Sequence, residues 1–338
     1  MRTYALLAVV LCAACGPATA EFVRRPELPI AWPDAASVPR VELEFAYHDG
    51  EDAERHGGFL GGLGRLLTGA STPALVAPYG LALSADGWLY VADSGAGGVH
   101  ALELASGEHR LLRGDEQQRF QTPIGVALAP DGRIFVTDSS AGCVHVLTRE
   151  GASLALLGSP QELGRPTGIV CDAPRRRMLI TDTTGCRLLV LDLDTLTFSA
   201  HGRRGEAPGE FNYPTNLALD GTGRVYVTDS LNFRVQVLSS ELAPLAAFGR
   251  AGTGPGCFAK PKGIALDSQG HVYVADGLFE NVQVFDAAGT LLLTFGSSGG
   301  ALGELALPTG LAFDGSDRLY VADAGNARVQ VFRFRSAP

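Results

Sequence analysis

The sequence predicts an all-β protein: a six-bladed β-propeller closed by an N-terminal strand that completes the last blade. Three observations carry this. A unit of short β-branched and aromatic runs, separated by Gly- and Asp-rich tips, occurs six times, starting at Pro78, Pro123, Pro166, Pro214, Pro261 and Pro308. The aspartate closing its second strand returns as Asp93, Asp138, Asp182, Asp229, Asp276 and Asp323, at separations of 44–47 residues by subtraction. Within each unit the apolar positions alternate by two, which fits strands and not the 3.6-residue spacing of a helical solenoid. A period of roughly 40–50 residues holding four strands is that of a propeller blade.

Taken in order, residues 1–20 read as a signal segment. Arg2 supplies a basic start, and Ala5 to Leu11 is an apolar run too short to span a bilayer. Two cleavage readings stand: Ala13-Ala14 before Cys15 resembles a lipobox, with Cys12 where Leu is usual, and Ala18-Thr19-Ala20 is an A-x-A site. Both imply export, and the first makes Cys15 a lipidation site. Gly16 behind it, rather than Asp, resembles outer-membrane sorting. Residues 21–39 carry Pro26, Pro29, Pro33 and Pro39 without periodicity and read as a proline-rich tether. The propeller spans 40–338.

Val41 to Phe45 alternates as a strand. Blades one to five each have a fourth strand ending near a glycine, whereas the sixth stops after Val329-Gln330-Val331-Phe332. The N-terminal strand is predicted to fill that vacancy and to protect an open edge. Between them, His48 to Thr72 reads as a loose surface loop, with a flap as the alternative.

The pattern P-x-G-[ILV]-A-[LF]-D-x-x-G-x-[VL]-Y-V-[AT]-D followed by N-x-R-V-Q-V is complete at Pro308–Val331, with Asn326 and Arg328, and Asn232 and Arg234 repeat the N-x-R in the fourth copy. It resembles the NHL repeat over roughly residues 41–334. The fifth copy departs with Phe279-Glu280-Asn281. The first three read as degenerate, with Gly98, Cys143 and Arg187 in the arginine slot, and Asn216 replaces the early glycine of the fourth. The resemblance implies a six-bladed propeller but no single chemistry: RNA-binding modules, protein platforms, lactonases and relatives of the amidating lyase share it.

Any chemistry must therefore lie in particular residues. The six aspartates belong to different blades and cannot converge on one ion; each is placed to accept bonds from turn N–H groups. The residues leading into the innermost strands are Tyr79, Ile124, Thr167, Thr215, Lys262 and Thr309, with no carboxylate and no histidine among them. Calcium needs several oxygen ligands and zinc needs His or Cys. His100 and His145 read as packing or outer-surface residues of adjacent blades. His109, His201 and His271 fall in different blades, and His48 and His56 lie in the N-terminal loop. Cys143, Cys171, Cys186 and Cys257 form no C-x-x-C and read as free thiols. No cofactor is expected.

A net charge of −9 argues against nucleic acid and anionic membranes as partners. The sequence thus points to an exported, monomeric binding or scaffold module, reaching the membrane only through a lipid anchor and recognising a protein or a small envelope ligand. The alternative is a metal-dependent propeller enzyme of the lactonase or amidating-lyase type. The face shared by loops leading into first strands and loops between second and third strands carries Tyr79, Tyr213, Asn216, Phe233, Lys262, Phe279 and Glu280, the candidate binding residues.

Overall fold

The computed structural model describes residues 23–24, 26, 30–32, 40–47, 74–116 and 118–335. The signal segment with Cys15 and the loop from His48 to Thr72 fall outside them. Six sheets surround one axis. Blades one to five are each a four-stranded antiparallel meander. The fourth, for example, comprises Pro214–Leu219, Val225–Asp229, Arg234–Leu238 and Pro244–Phe248. Each first strand faces the axis and each fourth lies on the perimeter. No described helix is long and apolar enough to cross a membrane.

The second strands are near-continuous apolar runs, buried at every position in blades two, four and five, so each sheet packs against both neighbours. Six buried clusters result, one between each pair of blades. Tyr90, Tyr226, Tyr273 and Tyr320 occupy equivalent second-strand positions within them and are almost fully buried. A buried phenol needs a partner, and two reach turn carboxylates: Tyr273 to Asp267 and Tyr320 to Asp314, both at 3.3 Å.

The ring closes through the two ends of the chain. Arg40–Tyr47 pairs antiparallel with Arg328–Arg335, from Tyr47 opposite Val329 to Arg40 opposite Arg335. Plain alternation would put Val41, Leu43, Phe45 and Tyr47 on one side. A bulge at Glu44 shifts the register and sends them to two sides. Val41 and Leu43 pack between blades five and six, and Phe45 and Tyr47 between blades six and one. One strand thereby seals both interfaces of the last blade.

Two short strands within the tether expected over 21–39 join this sheet. Ile30–Trp32 pairs with Val41 to Leu43, and Val23–Arg24 pairs with Ala46 and Tyr47. Trp32 lies 5.8 Å from Phe295 and 5.9 Å from Phe332, ring centre to centre. The apolar triplet Ile30-Ala31-Trp32, enclosed by Pro29 and Pro33, is too short to register as a periodic pattern; the large indole supplies its burial.

Candidate recognition face and channel mouth

The repeated aspartates organise the face. Asp93 accepts the backbone N–H groups of Val76 (2.7 Å) and Ala77 (2.9 Å) from the loop before the first strand. It also accepts those of Gly95 (2.9 Å) and Ala96 (2.8 Å) from the turn after the second. The carboxylate thus ties two loops of its blade together. Burial opposes its ionisation, but His100 and these N–H groups outweigh burial and hold the carboxyl below its usual range. The other five aspartates serve the same kind of loop pair.

The N-x-R motif extends this clamp. Arg328 is 1% exposed. It donates to Asp323 Oδ2 at 2.6 Å and to the carbonyls of Gly300, Ala301 and Glu304 at 2.6–3.0 Å. Asn326 donates to Asp323 and to the Gly299 carbonyl, both at 2.9 Å. Arg234 and Asn232 repeat this around Asp229. Arg187 corrects the sequence reading: the third copy is not degenerate there, because its guanidinium donates to Asp182 Oδ2 at 2.9 Å and to the Glu162 carbonyl at 2.5 Å.

Seven residues after the aspartate stand His100, His145, Gln236, Gln283 and Gln330 in blades one, two, four, five and six; Gln236 and Gln330 donate to Asp229 and Asp323 at 3.1 Å beside the arginines. His100 and His145 are buried, at 0% and 2% exposure, and are not outer-surface residues. His100 Nε2 lies 3.4 Å from Asp93, and its Nδ1 lies 2.8 Å from His109 Nε2. Burial, and then the neighbouring His100, depress the His109 imidazole to about 4. His145 faces Asp138 at 3.7 Å, and its ring lies tilted against that of Phe120 with centres 4.5 Å apart. Among the described residues no group of three or more His, Cys, Asp or Glu side chains is placed to hold a metal ion. Cys143, Cys171, Cys186 and Cys257 are free thiols. Burial pushes Cys143 up to about 12 and Cys171 up to about 11.

The innermost strands crowd at the axis. A Cβ at Gly310 would meet the Tyr79 carbonyl oxygen, one at Gly263 that of Thr309, and one at Gly125 that of Thr167. Only glycine permits this approach. Thr137, Thr181 and Thr228 bridge it, donating to carbonyls of the next blade at 2.5–3.1 Å. The channel enclosed holds about 420 Å³. Its wall is mainly Gly, Ala, Leu, Ile and Val, with Tyr79, Asn216, Cys171 and Phe313; no carboxylate or imidazole lines it among the described residues.

The seven candidate residues separate into groups. Tyr79 and Lys262 come together: the Lys262 ammonium lies 5.4 Å from the Tyr79 ring centre, although blade six stands between their blades. Asn216 lines the same channel, and its Oδ1 accepts the Leu217 N–H at 2.9 Å. Tyr213 lies apart under the Arg204 guanidinium, 5.3 Å away. Phe233 and Glu280 occupy one position of the turn after the second strand, both left-handed at φ 56° and 54°. Phe233 packs against the cluster between blades four and five, and Glu280 accepts the Leu307 N–H at 3.3 Å, so both hold structure together. Phe279 is half-buried, with its N–H on Asp276 at 3.1 Å.

The sequence reading missed four exposed apolar groups of this face. Leu231 (46%), Leu278 (66%), Leu307 (50%) and Val76 (52%) stand on blades four, five, six and one of this face. Leu231 and Leu278 occupy the same turn position, two residues after the aspartate, where blades one, two, three and six have Gly95, Ser140, Thr184 and Gly325. Aligning the copies at that position would have exposed the difference.

Axial first strands, glycine throat and aspartate clamps define a six-bladed β-propeller. Four of its six blades match the NHL repeat family, at residues 120–147, 211–238, 258–285 and 305–332. No curated protein sequence matches the chain. Among solved structures it is similar to virginiamycin B lyase from Staphylococcus aureus, with a TM-score of 0.57 and 15% identity over 76% of this chain and 95% of that one. It is similar to a gluconolactonase from Xanthomonas campestris, with a TM-score of 0.60 and 16% identity over 78% and 88%. It is also similar to a chain of a nidogen/laminin complex, with a TM-score of 0.56 and 18% identity over 76% and 89%. Two enzymes and a chain of a nidogen/laminin complex at such identities share the fold and nothing more specific.

Proposed function

We propose that this protein is a non-catalytic binding module of the bacterial cell envelope, exported and held by a lipid on Cys15. It recognises its partner with the face that carries the turns after the second strands. The observation that carries this reading is the apolar arc of Val76, Leu231, Leu278 and Leu307. Four apolar side chains, 46–66% exposed on four consecutive blades, belong to none of the six buried clusters. Such groups, rimmed by polar loops, are what protein recognition uses.

The test is capture from envelope extract by purified protein. Leu231→Glu with Leu278→Glu should abolish capture of the partners held by the wild type, at an unchanged melting temperature. Leu154→Glu with Leu245→Glu, on the perimeter, should retain them. Identical partner sets for both double variants would refute the recognition face. Cys15→Ser should move the protein from the membrane to the soluble fraction, and its retention in membranes would refute the anchor.

A further inference from the structure

The channel mouth holds positive charge that no described carboxylate answers. Lys262 opens the innermost strand of blade five, and Thr228 Oγ1 fixes its carbonyl at 2.8 Å. Its stem crosses Gly277, where a Cβ would stand 3.0 Å from the lysine Cε. The ammonium then reaches over blade six to the Tyr79 ring. Among the described residues its Nζ has no hydrogen bond or ion pair to an acid; the neighbouring charge acting on it is Lys260, another cation. The charge acting on Tyr79 is the Arg165 guanidinium. Burial, and then Lys260, lower the Lys262 ammonium to about 8, while burial raises the Tyr79 phenol. A half-buried cation among cations is costly unless an anion joins it.

The mouth opens on the 420 Å³ channel, a size suited to a small ligand. Below the ammonium the wall is aliphatic, with Leu81, Ile124, Ile169 and Leu311 among its residues. Asn216 is on the same wall, and its Nδ2 donates to no described protein acceptor. One ammonium, one phenol and one amide suit a singly charged, planar head. A phosphate dianion more often calls for Arg forks or rows of backbone N–H groups.

We propose that the channel mouth binds a small organic carboxylate, its head on Lys262 with the Tyr79 hydroxyl and Asn216 amide beside it and its short apolar body in the channel. The site is separate from the apolar arc, and calorimetry reads it independently of partner capture, so either assignment can fail alone.

The experiment is isothermal titration calorimetry of the purified protein with sodium hexanoate, sodium acetate, hexylamine hydrochloride and inorganic phosphate. Hexanoate should bind with a Kd below about 1 mM at pH 7. Acetate should bind at least about tenfold more weakly, for want of buried methylenes. Lys262→Met should weaken hexanoate by about tenfold or more. The wild-type affinity should fall as pH rises past about 8, where the ammonium is lost. No heat with hexanoate, equal affinity in Lys262→Met, equal binding of hexylamine, or tighter binding of phosphate would each overturn the assignment. The wild-type titrations decide this even if the variant does not fold.

Discussion

Leu43→Ala tests whether the N-terminal strand holds the ring shut. Leu43 is 5% exposed and packs in one cluster with Phe295, Leu305 and Phe332. Its truncation removes buried methylenes and leaves a cavity between blades five and six. That loss is worth about 2–5 kcal/mol. Leu292→Ala is the control: the side chain is 52% exposed on the fourth strand of blade five, and its loss should change stability by no more than about 0.5 kcal/mol. The sequence has two tryptophans. In a Trp88→Phe background, Trp32 alone reports on the closure, through its contacts with Phe295 and Phe332. Urea titration followed by Trp32 emission should show an early transition in Leu43→Ala, with the indole moving from an apolar to an aqueous environment. If Leu43→Ala behaves like Leu292→Ala, or if native Trp32 already emits as a solvated indole, closure by this strand is wrong.

Two further outcomes follow from the aspartate clamps. Arg328→Met leaves Asp323 buried beside three carbonyls that have lost their donor, and should cost about 3–5 kcal/mol by denaturant titration. Arg234→Met should cost less, about 1–3 kcal/mol, because a side chain 17% exposed lets water replace some of the lost bonds. His109 gives an acid dependence: its folded value near 4 lies below its ordinary 6.5, so the unfolded chain binds the proton more readily. Its contribution is therefore complete above about pH 6.5 and is lost as pH falls toward 4, a change of order 2 kcal/mol after allowing for its partial exposure. His109→Gln should shrink the stability difference between pH 7 and pH 4 by that amount, and an unchanged difference would refute the assignment.

The blades were legible because their signal is local and repeated. Pro, Gly and Asp at fixed offsets mark turns, and strand alternation marks burial. Closure was legible because the sixth copy lacks its outer strand. The bulge at Glu44 was not, since alternation assumes an unbroken register and places Val41 and Phe45 on one side. Ile30-Ala31-Trp32 was hidden between prolines. Arg187 was misread because the preceding Asn of the motif is absent, yet the Asp182 pairing needs only the guanidinium. The meeting of Lys262 and Tyr79 was beyond sequence reasoning: they lie in blades five and one, and their contact depends on how far two side chains reach across the mouth. Phe233 and Glu280 looked like surface groups from their turn, but the left-handed backbone there directs one to the core and the other to a neighbouring N–H.

The front of the chain also sets how the protein would respond to a pull. Load applied upstream of Val23 meets two residue pairs first, at Val23–Arg24, then three at Ile30–Trp32, then seven along Arg40–Tyr47. Resistance therefore rises step by step, and the short outer strands would peel and re-zip under small forces before the last sheet was touched. Pulled from that end, a propeller built this way would have a graded shock absorber in series with its ring, and its first five sheets, which take no strand from that end, would be the last to feel the strain.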